Sequence, residues 1–421
     1  MQAFLTKNRW AVLLAATLAQ CFCNFPNVWG VFQPYISQVY GYTPDAATLV
    51  MPLCVAFFGV FSIFGGRVQD TRSPRTAAYI GSFMVSAAFF IGASIPAGNP
   101  LLMYLGFSMF FGGGCGFING GLFTCVMKWY ADKKGFAGGV MGAVASVFSI
   151  ALTYMAEGLL SRFGPRMTLA YIGGACLLTT MATSFFYVNP SEDYILEKSS
   201  LSAGKGAGAG KGAPIDFTTT EMLRTKQYYL LILCIIFAMP AIMLINPALV
   251  SICMERGLEK STALNALAIA SATAAAGRFL VPWVSDHLGR KRTLLAMWAA
   301  MAVASVWFMK AGGFSIVIAF AVISFVNNGG FTIIGPFVND LFGFRYSGTN
   351  IGFVNISNSV GALSGSMLLP LFTPIFGANA RSWVGIIGSV LAFLCILLLS
   401  TNMAAVRKKM DGEKEKETAS V

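Results

Sequence analysis

The chain has 421 residues, 56% of them apolar and only 11% charged, and its mean hydropathy is +0.69. A soluble chain of this length carries about a quarter charged residues, so a soluble enzyme or binding module is all but excluded, and 36 Phe exclude bulk disorder. Nine Cys, an odd count set in apolar stretches, exclude a disulfide scaffold; the net charge of +12 fits Lys and Arg gathered in loops on one membrane side better than a nucleic-acid face.

A helix needs about 20 apolar residues to cross a hydrocarbon core of roughly 30 Å. In chain order such stretches fall near 10–33, 46–66, 76–96, 101–127, 136–158 and 167–188, then near 228–253, 262–284, 293–311, 314–339, 349–373 and 383–405. The first run has no small-residue cleavage site after it and reads on as a span, not a cleaved signal. Alternating apolar and polar residues are absent, which argues against a membrane β-barrel. The expected fold is therefore an all-α membrane protein of twelve spans in two six-helix halves.

The expected divisions are 1–188 for the first bundle, 189–227 for a linker on the cytoplasmic side, 228–405 for the second bundle and 406–421 for a tail. Ser199 to Gly212 is built of Gly, Ala, Ser and Lys and cannot bury a core, so the linker reads as flexible. The tail after Arg407-Lys408-Lys409 mixes both charge signs and reads as solvated. With even-numbered loops inside, 22 of the 29 Lys and Arg fall on the inner side, six fall outside, and Arg278 lies within a span. That bias puts both termini in the cytoplasm, in an inner (plasma) membrane.

The loop after span two reads Gly65-Gly66-Arg67-Val68-Gln69-Asp70-Thr71-Arg72-Ser73-Pro74-Arg75. The loop after span eight reads Pro282-Trp283-Val284-Ser285-Asp286-His287-Leu288-Gly289-Arg290-Lys291-Arg292. Each places an Asp at a helix end with an Arg four or five residues on, and the two Asp are 216 residues apart. A second pair sets Asp132 after span four against Asp340, with Arg345 following, after span ten. Matched loops at half-chain spacing indicate duplicated halves, with a substrate site between them near mid-membrane. Asp70, Arg75, Asp132, Asp286, Arg290, Asp340 and Arg345 read as a charged latch that closes in one conformation only; the plainer reading makes these Arg topology anchors.

At these loops, and over nearly its whole length, the chain resembles the major facilitator superfamily. Glu221-Met222-Leu223-Arg224-Thr225-Lys226-Gln227-Tyr228-Tyr229 before span seven, Trp129 through Gly139, Gly277-Arg278-Phe279 and Asn350-Ile351-Gly352-Phe353 are similar to the oxalate:formate antiporter family, kin of the monocarboxylate porters. The resemblance implies carriage of small carboxylates. It sets Asn358 where the family's oxalate carrier has a Lys, and Asn119, Asn328 and Asn355 where that carrier has aromatic cage residues. Ala274 stands where proton-coupled porters carry an Asp.

Arg278 stands out without any resemblance. It lies about 8 residues, or roughly 12 Å, inside span eight from the latch, at a depth where Arg costs about 2.5–3.5 kcal/mol. The nearest acidic candidate, Glu157, belongs near the outer end of span five. An unpaired guanidinium facing water receives an anion, and its fork fits a carboxylate; bonds to neighbouring carbonyls or snorkelling are the structural alternatives. One cation neutralises one carboxylate, so monocarboxylates of lactate, pyruvate or formate size are preferred over dicarboxylates.

Amides in apolar helices (Asn27, Asn119, Asn327, Asn328, Asn355 and Asn358) need partners and could hydrate a cavity or touch substrate. Asn358 and Asn355 are the leading candidates; Trp29 and Phe331 could wall the pocket. Glycines in spans four and five allow close helix approach, and Pro240 with Asn246-Pro247 should kink span seven. The expected function is secondary active transport of small organic anions by alternating access, anchored at Arg278. An oxalate/dicarboxylate:formate exchanger, a carrier of neutral or cationic solutes, and a non-transporting sensor or accessory subunit are the alternatives. Expected partners are the carboxylate, the bilayer, and protons or a counter-anion, with no nucleic acid, no cofactor and no metal.

Overall fold

The computed structural model describes residues 8–42, 44–203, 216–246 and 248–408. The described residues are helical with no strand, the outcome expected where the solvent offers backbone groups no hydrogen bonds. Among the described residues, nine helices are long and apolar enough to cross a membrane, or ten when the bent pair Ser347–Gly365 and Met367–Phe376 counts as one span. The continuous stretch Lys134–Thr183 breaks at Gly164, whose φ of 73° lies in the left-handed region, and so forms spans five and six. Span one is a broken pair, Arg9–Phe22 and Trp29–Tyr40. The expected twelve spans result.

Span two is Pro44–Thr71, three Pro74–Ser94 and four Pro100–Trp129. Spans eight to twelve are Lys260–Leu288, Arg290–Lys310, Ser315–Phe342, Ser347–Phe376 and Ala380–Leu398. The break in span seven falls at Asn246, between Lys226–Ile245 and Leu249–Glu255; Pro247 lies outside the described residues. Span eleven bends by 41° just before Pro370, whose ring crowds the carbonyl four residues back.

Two apolar clusters form, one from Val12 to Tyr187 joined by Phe344, the other from Phe217 to Met403. Spans two and eleven, and spans five and eight, run along each other between the clusters. The approach is close enough that a Cβ on Gly66 would sit 2.0 Å from the Gly348 carbonyl oxygen.

The expected linker is partly ordered. Glu192–Ala203 is a helix with Glu192 and Asp193 in its first turn, where acidic groups favour the helix dipole. Tyr194 of that helix packs on Trp129 at 5.2 Å between ring centroids. Thr218 and Glu221 form a capping box that starts a second short helix, Thr219–Leu223. The Gly-rich stretch from Gly204 to Gly212 and the tail beyond Lys408 lie outside the described residues.

Candidate functional site

Arg278 projects from span eight towards span five, and its stem lies over Gly142, where a Cβ would meet the Arg278 Cδ at 3.3 Å. Its Nε and Nη2 donate to Asn328 Oδ1 at 3.1 and 2.8 Å, and its Nη1 donates to Ser146 Oγ at 2.6 Å. Asn328 Nδ2 donates to the Ser324 carbonyl one turn back, which fixes the amide oxygen on the guanidinium. Both partners are neutral. No carboxylate pairs with Arg278 among the described residues, and Glu157 is exposed and unpaired. A guanidinium has five N–H groups; three are engaged, two remain, and the residue is only half-buried.

A second polar node joins the clusters. Asn355 Nδ2 donates to Ser62 Oγ at 2.8 Å and to Asn119 Oδ1 at 3.3 Å, and Asn358 Nδ2 donates to Asn355 Oδ1 at 3.3 Å. The Asn358 Oδ1 and the Asn327 Nδ2 are buried without a partner among the described residues. Asn119 opens a π-helical turn, Asn119–Phe123, a local widening that re-aims side chains. The side chain of Asn27 lies outside the described residues.

One expected wall residue, Trp29, sits in the apolar core. Trp29 is only 4% exposed, packs on Phe25, Phe32 and Phe107, and donates from Nε1 to the Ala47 carbonyl. It is core of the first cluster, because an indole buried in an apolar helix finds its partner in a nearby carbonyl. Phe331 turns edge-on to Trp298, with centroids 5.6 Å apart.

The loop carboxylates bridge the two clusters, by helix capping as much as by ion pairs. Asp70 accepts from the Gly348 and Thr349 backbone N–H at 3.1 and 2.7 Å and from Thr349 Oγ1 at 2.9 Å. Span two thus caps the first turn of span eleven across the cluster boundary, with Lys128 Nζ 3.9 Å from the same carboxylate. Asp286 does the equivalent for span five, accepting from the Gly135 and Phe136 N–H at 3.1 and 3.0 Å, and pairs with Arg290. Orphan N–H groups and the positive end of the helix dipole both attract a carboxylate. Asp340 takes Lys134 across the boundary and Arg290 Nε at 3.2 Å.

Three of the expected latch residues make no pair across the boundary among the described residues. Arg75 donates to the Ser184 and Phe185 carbonyls at 3.0 Å within its own cluster. Arg345 makes no ion pair among the described residues and lies over the Tyr346 ring at 5.8 Å. Asp132 stays within the first cluster, paired with Arg9 at 2.7 Å. Arg9 also lies over Tyr130, whose hydroxyl burial pushes up to about 12, so the ring it covers is neutral. Short loops hold these three near their own bundle, while Lys134, Thr349 and Ser146, which do the bridging, were not singled out by the sequence. Backbone donors leave no trace in composition, and Ser146 is an ordinary small residue until span eight is set against it.

Hydrogen bonds between the clusters run from the latch as far as Ser359 Oγ on the Val55 carbonyl, and among the described residues none lies beyond that level. Among the described residues such bonds join the clusters at the end of the charged loops and not at the other.

A family model of the Major Facilitator Superfamily matches residues 12–362 and 231–420. The chain is 24% identical over 413 residues to the oxalate:formate antiporter of Oxalobacter formigenes, covering 96% of this chain and 94% of that one. It is 23% identical over 404 residues to MFS-type transporter 1 of an Ophiocordyceps species, covering 92% and 84%. Among solved structures, the E. coli fucose:proton symporter superposes with a TM-score of 0.72 at 14% identity, over 94% of this chain and 99% of that one. A proton:xylose symporter gives 0.69 at 15% identity, over 96% and 100%. The duplicated charged loops, the helical architecture and these matches together place the chain in the Major Facilitator Superfamily, as a multi-pass membrane transporter.

Proposed function

We propose that the protein is a secondary carrier of small organic monoanions such as lactate, pyruvate or formate, with Arg278 as the anion anchor. The observation that carries this is the state of that guanidinium: deep in span eight, half-buried, held among the described residues by Asn328 and Ser146 alone, with two N–H groups to spare there. Neutral partners orient the cation and leave its charge uncompensated, which is the condition for binding an anion in low dielectric. The antiporter relative, by its name, moves two small carboxylates. No second cation accompanies Arg278 at that depth in the sequence, so a monoanion crosses as a neutral pair and a dianion does not. Asn358, whose amide oxygen is buried and unpartnered, and Asn355 serve as the polar lining of the path.

The matched latch with Asp70, Asp286 and Asp340 works as the gate. With the latch on the cytoplasmic side, as the Lys and Arg bias indicates, bonds that join the clusters at that side fit a conformation open to the outside. An empty carrier with an uncompensated Arg reorients reluctantly, which favours exchange over uniport. The binding step is tested by thermal shift of the purified chain against monocarboxylates, oxalate, sugars and amines. Stabilisation by monocarboxylates is expected, about 2.7 kcal/mol at a hundredfold excess over Kd, and Arg278→Gln removes it. Stabilisation by sugars or amines alone would overturn the assignment, and oxalate alone would replace it with the dicarboxylate exchanger.

A further inference from the structure

The face of span two turned away from span eleven carries a groove of about 630 Å³, lined by Phe61, Phe64, Val68, Phe117 and, at its mouth, Arg67, Thr71 and Arg72. On a helix turning about 100° per residue, Phe61, Phe64, Val68 and Thr71 share one stripe, while Gly59, Ile63 and Gly66, which pack on span eleven, occupy the opposite one. The groove therefore opens on the outer surface of the first cluster; Phe64 is 53% exposed.

Its polarity is ordered along the helix. Aromatic rings line the part nearer mid-span, and the two cations lie at the latch end, where the span terminates at Thr71. Phe61 to Arg72 covers roughly 16 Å at 1.5 Å per residue, about half a hydrocarbon core of 30 Å. Arg67 and Arg72 are exposed and make neither an ion pair nor a side-chain hydrogen bond among the described residues. No carboxylate lines the groove. The adjacent Asp70 points the other way and is occupied by Gly348 and Thr349. The basic residues beside it are otherwise used, Arg75 on carbonyls and Lys128 towards Asp70.

We propose that this groove holds one anionic phospholipid of the latch-side leaflet, its phosphate between Arg67 and Arg72 and an acyl chain along Phe64, Phe61 and Phe117. Fixed cations at the headgroup level select negative charge, and the aromatic trough accounts for the apolar remainder. This site is separate from Arg278 and makes no use of the transport reading.

The test is native mass spectrometry of the full chain equilibrated with equal phosphatidylglycerol and phosphatidylcholine. Phosphatidylglycerol adducts are expected to exceed phosphatidylcholine adducts several-fold. Arg67→Gln with Arg72→Gln brings the ratio to near one. Val68→Trp, which fills the trough and keeps both cations, lowers it as well and decides the matter if the double variant does not fold. Arg162→Gln, an exposed cation elsewhere, and Arg278→Gln leave it unchanged. An undiminished preference in the double variant or in Val68→Trp overturns the proposal, as does displacement of the adduct by millimolar inorganic phosphate, which would mark a bare phosphate site.

Discussion

At Arg278 the number of N–H groups matters more than the number of bonds. Asn328 and Ser146 consume three of five, and the planar fork leaves the other two for a carboxylate. Lysine would keep the charge and lose the fork. Hydrogen bonds to charged groups contribute about 1.5–3 kcal/mol, so Arg278→Lys should weaken carboxylate binding roughly ten- to a hundredfold, at 1.4 kcal/mol per tenfold. Calorimetric titration of the purified variant checks this. Ser146 is a different case, since it belongs to span five and grips the cation from across the cluster boundary. Ser146→Ala frees a third N–H and leaves the two proposed to take the carboxylate, so binding should hold or tighten by up to about tenfold. A hundredfold loss in the same titration would make Ser146 a substrate ligand instead.

At the scale of elements, the proposed gate is two helices capped by carboxylates from the opposite cluster. An N-cap ranks Asn and Asp alike and Ala far below, with Ala costing about 1 kcal/mol. Asp70→Asn should therefore keep most of the closed latch and Asp70→Ala should lose several-fold in its population, with Asp286 behaving the same way at span five. Distances between spin labels on the latch ends of spans two and eleven report that population; equal effects of Asn and Ala would mean that charge alone acts. Gly66 tests closure from the steric side. Gly66→Leu puts a side chain where even a Cβ would be 2.0 Å from the Gly348 oxygen, and the label distance should lengthen while the helices remain folded by circular dichroism.

Much of this was legible in the residues. Twelve apolar stretches marked the spans, because lipid imposes length and composition on every crossing. Asp70 and Asp286 announced themselves by repetition, and Arg278 by its depth. What the residues do not carry is partnership across the boundary. Arg75 and Arg345 have the charge expected of a latch, yet carbonyls and an aromatic ring occupy them. The caps on spans five and eleven are backbone N–H groups, which every sequence possesses. Trp29 shows the same limit from within one cluster, because an aromatic in a membrane helix serves packing and pocket walls equally well until its neighbours are known.

For the whole molecule, these parts combine into one cycle. Two apolar clusters are joined by polar contacts from the latch to mid-depth, where the Asn119–Asn355–Asn358 node and the Arg278–Ser146 bond lie. On the proposed reading, a substrate carboxylate on the free N–H groups of Arg278 sits beside the Ser146 contact across the cluster boundary, and only a contact that differs between conformations can shift the balance. The central claim, a carboxylate carried on Arg278, is tested most directly by counterflow of labelled lactate, pyruvate and formate into proteoliposomes, comparing the native chain with Arg278→Gln. The account predicts accumulation of at least one of the three in the native chain and none above empty liposomes in the variant. Equal uptake by the two proteins would contradict it.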